Sequence, residues 1–239
     1  MNPIETYIHD RDEQVRKNLQ CGFLDYDAFH FTGSLVRTNF VKNFTYCGIP
    51  ILQYPTDLMV MQELIWQIKP DCIIETGIAF GGMTKFYSDM LGRVAGILIA
   101  IDIEIREHAK KVLCGLDVFD FEGSSIDEKI FEEVRRIVRL DEKVLISLDS
   151  NHTHDHVLQE LKLYSPLVSV GSYIVVFDTA IEFYGHLDKN QDRPWGKGNN
   201  PYSAVQEFMK DNDEFIVDKE VEQRALITSA PGGFLRRIK

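Results

Sequence analysis

Four carboxylates close four apolar runs in this chain: Glu75 after Cys72–Ile74, Asp102 after Val94–Ile101, Asp149 after Val144–Leu148 and Asp178 after Tyr173–Phe177. If those runs are strands of one sheet, the four acids gather along one edge of one cleft. Asp149 and Asp178 are the strongest metal candidates, because hard carboxylate oxygens from neighbouring strand ends hold Mg²⁺ while leaving positions for water or substrate. Thr179 offers a further oxygen. A cation held there favours the alkoxide of a bound hydroxyl, which makes an alcohol nucleophilic near neutral pH. Asp149 also opens the run DSNHTHDH, in which His152, His154 and His156 alternate with other residues. Imidazole clusters suit zinc or iron as well. A helix beginning near Thr153, however, does not bring side chains two apart onto one face. A split of roles is therefore expected: His152 as general base, with a reference pKa near ~6.5, His154 close to the metal or substrate, and His156 packing or capping.

The second concentration of chemistry is DCIIETGIAFGGMTK, Asp71–Lys85. An apolar run, an acid and a glycine-rich turn leading into helix-forming residues predict a buried parallel strand turning sharply into a helix. Glycine there permits positive φ and lets a ligand approach the backbone. Glu75, Gly77, Gly81 and Gly82 form the expected ligand-facing turn. Asp102, at the end of the next strand, stands where a nucleotide ribose is often held by its two hydroxyls, with Glu104 a near competitor. A nicotinamide cofactor is the first rival reading, but ETGIAFGG lacks the GxGxxG spacing, and Glu75 beside a pyrophosphate would repel it.

Strand runs alternate with helical patterns through most of the chain, which predicts an α/β, doubly wound, mostly parallel sheet with helices on both faces. Asp57 is placed to cap a helix through Leu58–Ile68, with Trp66 at the edge of its apolar stripe. Met83–Leu91, His108–Leu113, Asp127–Leu140, Val157–Tyr164 and Ser203–Lys210 follow as helices. Phe215–Val217, Ala225–Thr228 and Phe234–Ile238 are short strand candidates, giving an antiparallel finish at one side of the sheet. Glu182–Tyr202 reads as a long loop, a candidate lid or subunit contact. The first sixty residues differ: Ile4–Leu19 reads as a surface helix, and Phe23–Tyr54 is dense in aromatics that would cover a core, line a pocket or meet another subunit.

A chain of 239 residues fits one large core with an appendage. Its net charge of -11 opposes binding to nucleic acid and favours a small-molecule partner. Four widely spaced cysteines suggest neither a disulfide framework nor a CxxC metal site. Neither an apolar signal core nor a run long enough to span a bilayer is visible, so a cytoplasmic location is expected.

The stretches IIETGIAFGGMTKFYSDML, GSSID, LDSNHTHDHVLQEL, VVFDT, RPWGKGNNPYSAVQEFM and APGGFLRRI together resemble the cephalosporin hydroxylase family. Despite that name, its members are S-adenosylmethionine-dependent O-methyltransferases related to enzymes that methylate natural products and sugars, including rhamnosyl residues. The resemblance covers most of Asp71–Lys239. It implies a seven-stranded Rossmann-like sheet with an antiparallel last strand over residues 57–239, behind an N-terminal, mainly helical and aromatic extension over 1–56. It implies S-adenosylmethionine bordered by Glu75, Gly77, Gly81 and Asp149, with Asp102 on the ribose and Ser125 near the adenine. Mg²⁺ would be held by Asp149 and Asp178, His152 would occupy the base position three residues after the first metal acid, the acceptor would be a sugar or small natural product, and the enzyme would be oligomeric. One departure stands out. Family members commonly carry Glu directly before the second metal acid, where this chain has Phe177, so the metal site would be weaker, completed by Thr179 or His154, or lost. An iron-dependent hydroxylase and a non-catalytic cofactor-binding protein are the remaining alternatives.

Overall fold

The computed structural model describes residues 2–139, 141–187 and 192–239. Asn2 and Glu5 form a reciprocal capping box at the start of α1 (Pro3–Cys21), and Gly22, at φ 63°, turns the chain into α2 (Phe23–Arg37). A turn at Cys47 and Gly48, both with positive φ, joins β1 (Thr45–Tyr46) to β2 (Ile49–Pro50). After α3 (Pro55–Ile68) strands and helices alternate: β3 (Cys72–Thr76), α4 (Gly82–Leu91), β4 (Ile97–Asp102), α5 (Glu107–Leu113), β5 (Val118–Glu122), α6 (Glu128–Ile137), β6 (Val144–Leu148), α7 (His154–Tyr164) and β7 (Tyr173–Val176). The short α8 (Ile181–Tyr184) and α9 (Pro201–Lys210) precede β8 (Phe215–Val217), α10 (Lys219–Ala225) and β9 (Phe234–Arg237).

The seven strands β3 to β9 form one sheet in the order β5-β4-β3-β6-β7-β9-β8. Neighbours from β5 to β7 pair in parallel, and β9 runs antiparallel to both β7 and β8. The doubly wound sheet expected from the alternation is present. Strands β3 and β6 are buried at every position, which is why they read as unbroken apolar runs rather than as alternating ones. Their side chains alternate between two cores. Ile74, Ile101 and Ile146 pack with α7 and α9, while Ile73, Leu98 and Leu145 pack with α3 and α4. Strand order reverses between β3 and β6, which leaves a crevice at their carboxyl ends, the place such sheets use for ligands.

The N-terminal helices are fastened to this body. Glu63 on α3 pairs with both Arg11 of α1 (3.2 Å) and Arg224 of α10 (2.6 Å), with Val15 buried beside them. The aromatic stretch divides: Phe44 and Tyr46 pack against the α4 core, whereas Phe23, Tyr26 and Phe31 lie on the surface.

Several local expectations change. Asp57 does not cap α3, whose first residue is Pro55; it lies inside the first turn, fully buried, and accepts hydrogen bonds from Thr228 and Ser229. Trp66 is 59% exposed with Lys69 over its ring, so it is not core. Ala225–Thr228 is not a strand. Asp218 caps α10 through the amides of Glu220 and Val221, and that helix ends at Ala225. Strand β4 begins at Ile97 rather than Val94, because the chain is still turning at Ala95 (φ 59°). The Asp127–Leu140 helix is realised as α6 with Asp127 as its cap; Leu140 lies outside the described residues. Within Glu182–Tyr202 residues 188–191 also lie outside them, and α8 occupies the start of that segment. No helix among the described residues is long and apolar enough to cross a membrane.

Candidate active site

A cleft of about 700 Å³ opens at the strand ends, and Gly77, Asp102, Ser125, Asp149, His152 and Asp178 all line it. The glycine turn is shaped by close approach. Gly77 sits at φ 91°, and a Cβ there would fall 2.1 Å from the Asp149 carbonyl oxygen, so the β3–α4 and β6–α7 turns can touch only through a glycine. Asp102 shapes the same turn: its Oδ2 accepts from the amides of Ile78 (2.7 Å) and Ala79 (3.0 Å). Its Oδ1 accepts only the longer contact from the Glu104 amide, at 3.2 Å, and retains acceptor capacity. Glu104 itself is exposed and paired with Arg106.

Three residues of the expected turn, Glu75, Gly81 and Gly82, do not line the cleft. Gly81 is the N-cap of α4 and packs on Val112. Glu75 points into the core below α4, 1% exposed, because strand alternation places it on the same side as Ile73. Neither of its oxygens has a hydrogen-bond partner among the described residues, and burial pushes its pKa from 4.5 up to about 8. The folded protein therefore holds this proton over a pH range in which the unfolded chain has released it. Stability is greatest below about pH 4.5 on this account and falls as pH rises towards 8. Glu75→Gln keeps the shape without the charge. Its melting temperature is expected to exceed that of the wild type by about 3 °C or more at pH 9, roughly the shift that 1 kcal/mol produces in a chain of this size, and by much less at pH 5. Equal gaps at the two pH values in a thermal melt would disprove this.

Asp149, His152 and Asp178 bring one ligand atom each to within 4.8 Å of one another. His152 Nε2 lies 3.2 Å from Asp178 Oδ2, and its ring packs edge-on against Trp195 at 4.8 Å. Asp149 Oδ2 accepts from Gln53 Nε2 at 3.0 Å. Burial, Asp178 and Glu75 together hold the Asp149 carboxyl well above the usual carboxylate range. Among the described residues no lysine or arginine pairs with either acid, so the charge crowding is left for a cation to relieve. Asp178 adopts φ 56°, a strained value for a non-glycine residue, of the kind that clusters at ligand sites.

Two expected contributors lie elsewhere. Thr179 is fully buried and donates to the Pro231 carbonyl at 2.8 Å, so it is not a metal ligand. His154, in the first turn of α7, faces α9: its Nδ1 meets Ser203 Oγ at 2.9 Å and its Nε2 meets Glu207 at 3.2 Å, and it does not line the cleft. Phe177 is buried in the α3 and α4 core, and the third ligand atom near the two acids belongs to His152 instead. His156 does more than pack, lining the cleft with its Nε2 against Ser125 Oγ (3.0 Å) and Ser150 Oγ (3.2 Å). Both of these serines donate to the buried Glu160. The sequence reading did not single out Gln53, Ser150, Ile103, Tyr184 or Trp195. Only Trp195 carried a signal, as the one aromatic within the glycine-rich segment Arg193–Asn200.

A seven-stranded sheet with a single reversed strand, a glycine turn at its switch point and two strand-end acids beside a histidine together define a Rossmann-like fold with a candidate cation site at its strand ends. Residues 38–238 match the family model described as rhamnosyl O-methyltransferase/CmcI. A rhamnosyl O-methyltransferase of Mycobacterium bovis is 30% identical over 217 residues, covering 89% of this chain and 84% of that one. Its counterpart from Mycobacterium leprae is 29% identical over 203 residues, covering 83% and 86%. Among solved structures, CmcI-D160 with Mg and SAM shares the fold at 17% identity and TM-score 0.58, over 83% of this chain and 78% of that chain. TomG from Streptomyces achromogenes with SAM does so at 16% identity and TM-score 0.53, over 77% and 80%. The chain belongs to the rhamnosyl O-methyltransferase/CmcI family. The resemblance read from the sequence is borne out, and the nicotinamide and iron readings give way to it.

Proposed function

We propose that the protein transfers a methyl group from S-adenosylmethionine to a hydroxyl of a sugar, with Mg²⁺ held by Asp149 and Asp178. The observation that carries this reading is the Asp149, His152 and Asp178 triangle beside the glycine turn. The acceptor class rests on the curated relatives, which are rhamnosyl O-methyltransferases. Gly77 and Asp102 would border the cofactor, and Ser125 would lie at its adenine end. The donor set suits the cation: hard oxygens, crowded in charge, with no lysine or arginine paired to them among the described residues.

When bound, the sulfonium cofactor supplies an electrophilic methyl and the cation supplies a positive field for the acceptor oxygen. The remaining work falls to the protein. His152 Nε2 lies 3.2 Å from Asp178 Oδ2, so Asp178 can orient the ring and stabilise the imidazolium once it forms. His152 takes the hydroxyl proton, the new O–CH₃ bond forms as the S–CH₃ bond breaks, and the neutral thioether departs with both bonding electrons on sulfur. Tyr54, Tyr184 and Trp195 also line the cleft and would give it an aromatic wall for the apolar side of a sugar.

Residues 1–56 act in this reading as the acceptor-side cover, since Leu35, Val36 and Lys42 also line the cleft. Their outer face is expected to mediate self-association: Tyr7, Phe23, Tyr26 and Phe31 are each more than half exposed. Sedimentation should give an oligomer that Phe23→Ser with Tyr26→Ser weakens; a monomeric wild type would refute this. The activity itself is tested by incubating the protein with S-adenosylmethionine, Mg²⁺ and a panel of rhamnosides, with mass spectrometry of the products. Methyl ethers that disappear with chelator are expected. Cofactor binding without methylation of any sugar would remove the acceptor assignment.

A further inference from the structure

Each acid of the site commits one oxygen to a protein partner. Asp178 gives Oδ2 to His152, and Asp149 gives Oδ2 to Gln53. Gln53 comes from the segment before α3, 96 residues away in sequence, and is itself 2% exposed. A buried amide in such a place has two ways to face, and its neighbours decide which. Nε2 points to Asp149 Oδ2, the arrangement that suits the ionised, cation-holding form of that acid, which can only accept. On the other side Ser229 Oγ shares its one hydroxyl proton between Gln53 Oε1 at 2.9 Å and Asp57 Oδ2 at 3.1 Å. Ser229 is held in turn: its amide donates to Asp57 Oδ2 at 3.0 Å, and the Thr228 hydroxyl donates to Asp57 Oδ1. Gln53, Asp57, Thr228 and Ser229 are all at most 5% exposed, so water does not compete for these bonds. The backbone is bent to suit. Leu52 adopts φ 55°, which L-residues seldom do, and Ile51 before it is buried. The Pro50 carbonyl oxygen rests so close to Gly82 that a Cβ there would meet it at 2.3 Å.

We propose that Gln53 is a positioning residue for Asp149: by holding Oδ2 it turns Oδ1 towards the cation, and the Ser229 and Asp57 relay keeps the amide from flipping. This rests on the reading of Asp149 as a cation ligand. A partner of this kind behind a ligand commonly governs metal affinity by one to two decades. It also makes the segment before α3 part of the reaction centre rather than a cover alone.

The test is Mn²⁺ affinity by calorimetry, without cofactor or acceptor, for the wild type, Gln53→Met, Ser229→Ala and Asp149→Asn. Gln53→Met keeps side-chain length and loses the donor, and it should bind Mn²⁺ about 10- to 100-fold more weakly. Its S-adenosylhomocysteine affinity should stay within about twofold of wild type, and kcat should fall at saturating cofactor with KM for the cofactor unchanged. Ser229→Ala should weaken Mn²⁺ in the same direction by a smaller factor, and it carries the test if Gln53→Met does not fold. A merely structural role would lower the melting temperature and leave the Mn²⁺ affinity of the folded variants at the wild-type value, and that result overturns the proposal. A wild type that binds Mn²⁺ no tighter than Asp149→Asn would overturn the cation reading beneath it, and the proposal with it.

Discussion

Asp149→Asn is expected to lower kcat for methyl transfer on the order of 10³-fold or more, the scale of several kcal/mol that a bound cation contributes to a developing oxyanion. The variant keeps the side-chain shape, and its amide oxygen can still accept from Gln53 Nε2, which binds Asp149 Oδ2 in the wild type. The atom turned towards the cation then becomes an NH₂ group, which cannot ligate. The proposed cofactor surface at Gly77, Asp102 and Ser125, which line the cleft, is untouched, so S-adenosylhomocysteine affinity should stay within a few-fold of wild type. Stability should move the other way. In metal-free protein Asp149 is held by burial well above its usual pKa, with Asp178 and Glu75 adding repulsion, and the neutral isostere relieves that. A dead enzyme with an unchanged or raised melting temperature in chelator is the signature, and a variant that turns over like wild type with and without chelator would end the metal-assisted scheme.

The second large effect is at His152. Removing a general base costs about 10² to 10⁴ in rate, so His152→Ala should lose at least the lower figure in kcat with little change in KM for S-adenosylmethionine. Because the imidazole also packs edge-on against Trp195, a loss in His152→Ala alone could reflect an emptied contact. His152→Phe separates the two: it keeps an aromatic ring against Trp195 and has no nitrogen. Both variants should be equally impaired, and added imidazole should restore part of the rate only in His152→Ala, where there is room for it. Wild-type turnover by His152→Phe would assign the ring to packing and move the base elsewhere.

The sheet was legible because fully buried parallel strands leave unbroken apolar runs, and β3, β4, β6 and β7 each had one. Their end acids were legible for the same reason, and three of the four reach the cleft. Glu75 misled because it belongs to β3 itself and not to the turn after it, so alternation sends it inward beneath α4. His154 and Thr179 misled in another way. Closeness in sequence to a metal acid says nothing of direction, and α7 turns His154 towards α9 while the bend at Asp178 commits Thr179 to Pro231. Ala225–Thr228 looked like a strand because its residues are apolar and β-branched, but the cap at Asp218 had already started a helix. Gln53 was invisible, since a lone glutamine in a loop acquires meaning only from Asp149 and Ser229, and both contacts exist only once the fold has closed.

That closure has a consequence for how the enzyme is assembled. Gln53 and Ser229 stand 176 positions apart, so their contact is among those of longest loop closure and belongs to the late, slow part of folding. The parallel strands that carry Asp149 can pair before the segment around Ser229 has been synthesised. A nascent chain at that stage would hold its nucleotide-binding half while its catalytic carboxylate still lacked a fixed orientation. Activity should therefore appear after the parallel strands have paired, when residues from the two ends of the chain meet beside Asp149.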